Sequence, residues 1–112
     1  MANIVRINIG DTVSTGDHVI TCLQNGAPAD LTGCTLLWRT RLRSASAATD
    51  RAATAVDAPT SGKVTMQYTA AETALLARGE YVAQVVATDG AGVVRTFPGA
   101  GEEPLLMVVS AL

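Results

Sequence analysis

The stretch that decides the fold is Thr69–Pro98, which reads TAAETALLARGEYVAQVVATDGAGVVRTFP. Thr69 followed three residues later by Glu72 has the spacing of a capping box, in which each side chain accepts a hydrogen bond from the other residue's backbone N–H. The Ala- and Leu-rich residues that follow predict one short helical turn near residues 70–78. A helix of only about two turns is not stable alone, so we expect it to be held by packing against a core.

The end of this turn prepares the strand that follows it. Gly79 fits the left-handed position that ends a helix, and either Leu75 or Leu76 is the expected core anchor. Tyr81 would enter a strand just after a short crossover, which is the position of the tyrosine corner in immunoglobulin-like sandwiches. The alternative interpretation is that Tyr81 is only a half-buried strand residue.

From Glu80 onward the apolar pattern changes to a period of two, which is the period of a β-strand. One face would carry Tyr81, Ala83, Val85 and Ala87, and the other Val82, Gln84, Val86 and Thr88. Asp89–Gly92 has the composition of a turn, and Val93–Phe97 resumes an extended pattern. The stretch therefore predicts a hairpin of two antiparallel strands.

Outside this stretch, alternating patterns bounded by turn residues predict further strands. These lie at Asn3–Ile9, Asp17–Gln24, Cys34–Leu42, Lys63–Tyr68 and Leu105–Val109. The segment Ser44–Ser61 is long for a structureless loop, so it holds either a weak edge strand around Ala52–Val56 or a mobile excursion. With about seven to eight strands and no long helical period, we predict an all-β, immunoglobulin-like antiparallel β-sandwich.

Two strands give the clearest assignment of an inner and an outer face. In the predicted strand Cys34–Leu42, Trp38 shares the inner face with Cys34, Leu36, Thr40 and Leu42. A charged face opposite an apolar one is typical of a sheet with one solvated side, so we expect Arg39, Arg41 and Arg43 on a solvated outer face. In the predicted strand Lys63–Tyr68, the expected inward residues are Val64, Met66 and Tyr68. The expected outward residues are Lys63, Thr65 and Gln67.

Composition limits the class of protein. The 112 residues suit one domain spanning 1–112, with charged residues at 16% and a net charge of −2. No apolar run is long enough to cross a membrane, and the N-terminus shows no signal peptide, so we expect folding in a cytoplasm and no membrane partner. The arginines form no broad basic patch, so we expect no nucleic-acid partner.

The sulfur and imidazole side chains suggest no chemistry. Cys22 and Cys34 are expected to be free, buried thiols because no secretion signal precedes them, and the pattern leaves open whether they lie near each other. The single histidine, His18, has no nucleophile motif beside it and suits a structural role. Two cysteines and one histidine do not supply the usual four ligands of a zinc site.

The acidic side chains also indicate neither a catalytic pair nor a metal site. Glu102 and Glu103 are adjacent, so on an extended chain their side chains would diverge instead of forming a catalytic pair. The aspartates Asp11, Asp17, Asp30 and Asp89 are typical of turns, and the alternative of calcium binding lacks an EF-hand loop. We therefore predict no enzyme, no cofactor, and no catalytic or metal-binding residues.

Three segments, taken in order, resemble a known family. They are DLTG at Asp30–Gly33 before the strand TLLW, SGKV at Ser61–Val64, and the hairpin from Gly79–Tyr81 through Thr88–Gly90 to Arg95–Pro98. Their order and spacing resemble the N-terminal domain of phage baseplate upper proteins and similar immunoglobulin-like domains of tailed-phage virions. The resemblance covers most of the chain, from Ile7 to Val109.

This resemblance implies a non-enzymatic virion structural protein, assembled in the host cytoplasm, that docks onto other phage proteins as a symmetric homo-oligomer. Domains of this kind commonly precede a coiled coil and a fibre, whereas this sequence ends at Leu112. The expectation is therefore a free-standing tail or baseplate adaptor, with a capsid decoration protein on the phage head as the alternative. A third interpretation is a ligand- or carbohydrate-binding β-sandwich, whose stacking platforms would come from Trp38, Tyr68, Tyr81 and Phe97.

Overall fold

The computed structural model describes residues 4–98 and 105–111, and strands make up most of its regular structure. The strands are β1 (Ile4–Asn8), β2 (Val19–Thr21), β3 (Leu23–Gln24), β4 (Ala27–Pro28), β5 (Thr35–Leu42), β6 (Thr49–Ala52), β7 (Thr54–Ala55), β8 (Lys63–Thr65), β9 (Gly79–Thr88), β10 (Val94–Phe97) and β11 (Leu105–Ser110). A 3-10 turn at Pro59–Ser61 and the helix α1 (Ala70–Ala74) accompany them. Glu102 and Glu103, whose side chains are expected to diverge, lie outside the described residues.

The strands form two sheets that face each other across a core. The large sheet has the order β1–β11–β9–β5–β6, with β10 beside the second half of β9. The small sheet has the order β2–β8–β7, and β3 and β4 form a separate hairpin. The predicted all-β sandwich is confirmed, although β1 pairs with β11 in parallel, where an antiparallel sheet was expected. Parallel pairing needs a long connection, and almost the whole chain separates these two strands.

The core is filled by the inward faces of both sheets. Trp38 lies at its centre and is 1% exposed, as the alternation along β5 predicted. The hairpin of β9 and β10 is also confirmed, with Tyr81, Ala83, Val85 and Ala87 buried. Thr65 is buried, so its predicted outward position is wrong. Its hydroxyl donates to His18 O at 2.9 Å and accepts from Gly16 N at 2.9 Å, which satisfies the buried oxygen.

The helical turn begins as predicted and ends early. Glu72 N donates to Thr69 Oγ1 at 3.1 Å, and Thr69 N donates to Glu72 Oε1 at 2.9 Å, so the capping box is confirmed. The helix ends at Ala74, with Leu75 as its C-cap, and the predicted role of Gly79 as its terminating residue is therefore wrong. Gly79, at φ +141°, instead starts β9, where an added Cβ would lie 3.1 Å from Leu42 Cδ1.

Two side chains fix α1 to the sandwich. Leu76 packs against the core, whereas Leu75 is 87% exposed, which decides between the two predicted anchors. Thr73 is fully buried; its hydroxyl donates to Asp11 O at 2.7 Å and accepts from Gly10 N at 3.1 Å. The threonine thus ties the helix to the turn after β1, a contact that the sequence pattern did not indicate.

The tyrosine corner is confirmed. Tyr81 is buried at the start of β9, and its hydroxyl donates to Ala77 O at 2.8 Å, four residues upstream. A tyrosine that binds the backbone just before its own strand is the defining contact of this corner in immunoglobulin-like sandwiches. The contact holds the α1–β9 connection against the large sheet.

Of the two predictions for Ser44–Ser61, the structure shows the weak edge strand. The segment forms two short strands, β6 and β7, and passes from one sheet to the other between them. Its first strand, β6, pairs with β5 in the large sheet, and its second, β7, pairs with β8 in the small sheet. Arg51 of β6 lies over the Tyr68 ring, 4.1 Å from its centroid, and forms an ion pair with Glu72 of α1. These contacts hold the crossing segment in place between the two sheets and the helix.

Candidate interaction surface

Aromatic side chains provide no exposed binding platform. The chain has four of them, Trp38, Tyr68, Tyr81 and Phe97, and each is at most 7% exposed. A sugar ring stacks on an aromatic face, and none of these faces is open to solvent. Within the described residues, no helix is long and apolar enough to cross a membrane.

The predicted turn aspartates have local structural partners. Asp17 accepts from Ser14 N at 2.8 Å, and Asp89 accepts from Ala91 N at 2.9 Å. The Thr32 hydroxyl, 2.6 Å from Asp30 Oδ1, holds the pKa of Asp30 below its usual range. Residues 4–98 and 105–111 contain no group of three or more His, Cys, Asp or Glu side chains arranged to hold a metal ion.

The two cysteines are free, as predicted, but only Cys22 is buried, so the predicted burial of Cys34 is wrong. Cys22 is fully buried, and burial raises the pKa of its thiol to about 12. Cys34 is half-buried, with the Arg95 guanidinium 3.8 Å from its sulfur. The single histidine, His18, is half-buried, and its backbone carbonyl serves the Thr65 contact.

The side of the large sheet that points away from the core, called the outer face below, carries aliphatic side chains. Strand register aligns the outward side chains, aliphatic and polar, in two rows that cross the sheet. The first row is Ile4, Leu106, Val82 and Arg41, and the second is Ala52, Leu37, Val86 and Thr96. Val86 is only 4% exposed although it lies outside the core, so this face already packs some of its own apolar surface.

The outer face also carries four of the chain's eight basic side chains, Arg6, Arg39, Arg41 and Arg43. Arg39 donates to both carboxylate oxygens of Asp50, at 2.7 and 3.0 Å. These hydrogen bonds raise the pKa of Arg39 and lower the pKa of Asp50. Arg43 forms an ion pair with Glu80 at 2.6 Å. Arg41 donates to Ala45 O at 2.9 Å. The predicted outer position of these arginines is confirmed, and each guanidinium has a defined orientation.

A shallow depression of about 130 Å³ lies in the middle of the outer face. It is lined by Arg39, Arg41, Ala48, Val82 and Gln84. Its lining combines aliphatic and cationic side chains, which suits a small side chain that carries a negative charge.

A second surface, called the edge groove below, lies where the edge strands β1 and β2 of the two sheets approach each other. It is an open groove of about 410 Å³. The apolar side chains Ile4, Val19 and Leu23 line it and are 45%, 45% and 41% exposed. Ile4 belongs to both the groove and the first row of the outer face, so the two surfaces are continuous at the β1 edge.

Comparison with known proteins identifies the fold. No family model matches the chain, and no curated protein matches it. Among solved structures, the chain is similar to the N-terminal domain of phage TP901-1 ORF48, with a TM-score of 0.65 and 15% sequence identity. The match covers 98% of this chain and 89% of that chain. The protein therefore has the fold of a phage protein domain along nearly its entire length, in agreement with the phage resemblance of its sequence.

Proposed function

We propose that this protein is a non-enzymatic structural protein of a tailed-phage virion, a small β-sandwich adaptor that docks onto other proteins of the tail or baseplate. The observation that carries the proposal is the likeness to a phage protein domain over 98% of the chain. The ordered motifs from Asp30–Gly33 to Arg95–Pro98 add independent support, because they resemble the N-terminal domain of phage baseplate upper proteins.

The surface chemistry agrees with a role in assembly. The outer face and the edge groove offer aliphatic and arginine side chains on regular strands, which is the chemistry of protein contacts. In this role residues 1–112 form one domain, and its partners are other virion proteins together with copies of the same chain in a symmetric ring or trimer. A carbohydrate-binding role is disfavoured because all four aromatic side chains are buried.

Fractionated virions test the proposal. Particles of the phage or prophage that encodes the protein are purified, heads and tails are separated, and the protein is quantified in each by mass spectrometry with isotope-labelled standards. We expect the protein in the tail fraction at a small multiple of three or six copies. Hundreds of copies in the head fraction would support the capsid decoration alternative instead, and absence from purified particles would refute the proposal.

A further inference from the structure

The outer face of the large sheet carries more aliphatic side chains than a solvated sheet face ordinarily does. A sheet with one side in water ordinarily places polar side chains there. Here Leu37, Val82, Leu106 and Val108 lie half-buried on that side, as the strand register shows. Val82 of β9 and Leu106 of β11 are register partners, and Ile4 of β1 pairs with Leu106, so these side chains form one aliphatic patch instead of isolated residues.

The same face has the opposite charge to the rest of the chain. It carries Arg6, Arg39, Arg41 and Arg43 against the carboxylates of Asp50 and Glu80. Four cations and two anions leave this face at +2, in a chain whose net charge is −2. A surface of this sign is complementary to a carboxylate-bearing partner and repels basic ones.

The basic groups of this face are arginines, and three of the four have defined partners. The chain has seven arginines and one lysine, and interfaces are enriched in arginine and depleted in lysine. Asp50 binds the Arg39 fork through two hydrogen bonds, and Ala45 O fixes Arg41 at 2.9 Å. Because these side chains are already ordered, a partner that contacts them meets a smaller entropic cost. The depression between them has room for a side chain of that partner.

We propose that the outer face is the surface with which this protein docks onto a neighbouring virion protein, and that the neighbour presents Asp or Glu side chains among aliphatic ones. This inference rests on the proposed adaptor function and adds the surface and the chemistry of the partner. Nucleic acid is the less favoured occupant because Asp50 and Glu80 repel phosphate and no described aromatic ring is exposed for base stacking.

The test uses particles assembled without the gene, to which the purified chain is added back. The variant Arg6→Glu/Arg41→Glu reverses two charges on the outer face and leaves the Arg39–Asp50 and Arg43–Glu80 pairs intact. The control Lys63→Glu/Arg78→Glu makes the same change in net charge at exposed residues elsewhere. We expect the outer-face variant to bind the particles at least about tenfold more weakly than wild type, because like charges would then face each other, and the control to stay within about twofold.

The outcomes separate the surface from the function. If wild type and both variants bind equally, the outer face is not the docking surface, although the adaptor function stands. If wild type itself does not bind the particles, the proposed function fails. Both variants must first show the circular dichroism spectrum of wild type.

A photo-crosslinking amino acid at Gln84, in the depression, supplies a second measurement that needs no charge reversal. Its control is the same group at the exposed residue Asp57. We expect Gln84 to crosslink to an acidic peptide of another virion protein. A crosslink from Gln84 to a second copy of this chain, or to packaged DNA, would overturn the proposal.

Discussion

Replacing Tyr81 by phenylalanine tests whether the tyrosine corner stabilises the connection between α1 and β9. Tyr81→Phe removes only the hydroxyl, which donates to Ala77 O at 2.8 Å, and keeps the buried ring. A single intramolecular hydrogen bond contributes about 0.5–1.5 kcal/mol net. Ala77 is exposed, so water can bind the freed carbonyl and no further desolvation cost arises. We expect the free energy of unfolding to fall by about 1 kcal/mol, which corresponds to a Tm about 4–8 °C lower for a domain of this size.

The assay is urea denaturation followed by the fluorescence of the single tryptophan, Trp38, with the slope of the transition unchanged. Tyr68→Phe is the matched control, because the Tyr68 hydroxyl lies 3.8 Å from Met107 Sδ, a weak acceptor. We expect this control to lose less than about 0.5 kcal/mol. A Tyr81→Phe variant as stable as wild type would refute the reasoning, and so would an equal loss in both variants.

Three further predictions concern stability and reactivity. Gly62→Ala should destabilise the fold by more than about 2 kcal/mol in urea, because φ is +70° and an added Cβ would lie 2.7 Å from Cys22 O. A thiol reagent should label Cys34 in the native protein and reach Cys22 only after unfolding, as counted by mass spectrometry; rapid native labelling of both would contradict the burial of Cys22. Arg51 holds the pKa of Glu72 at about 2, against an ordinary 4.5. Because the folded-state pKa is the lower one, ionised Glu72 stabilises the fold above pH 4.5, and this contribution is lost as the pH falls toward 2. Glu72→Gln should therefore lower the urea midpoint at neutral pH and match wild type near pH 2, and a pH-independent difference would exclude the ion pair as its cause.

The parts of the fold that the sequence predicted are those in which one residue pattern reports one local constraint. Along β5 and β9, one side of the strand is buried and the other is not, so the period of two is visible without knowledge of the neighbours. The capping box at Thr69 and Glu72 is equally local, because both of its hydrogen bonds lie within four residues.

The predictions that were wrong concern residues whose structure depends on contacts with parts of the chain that are distant in sequence. Thr65 is buried because Gly16 N and His18 O, almost fifty residues away, satisfy its hydroxyl. Gly79 has φ +141° at the start of β9, a backbone conformation that favours glycine, and it does not end the helix. The parallel pairing of β1 with β11 joins the two ends of the described chain, and no local pattern specifies the direction of such a pair.

The candidate surface was only partly predictable for the same reason. The alternation of Arg39 and Arg41 along one strand correctly indicates the outer face. The pairing register is needed to bring Leu106 and Val108 of β11 and Arg6 of β1 to the same side. The period of two separates the two faces of β5 and β9 strand by strand, but the combined aliphatic and cationic character of this face is a property of the assembled sheet.

The measurement that tests the central claim most directly is the copy number of this protein in purified, fractionated virions. We expect the protein to co-purify with tails, at a small multiple of three or six copies per particle, and to resist removal by washing. Its absence from purified particles, or a gene that lies outside any phage or prophage, would contradict the claim that this β-sandwich is a virion structural protein.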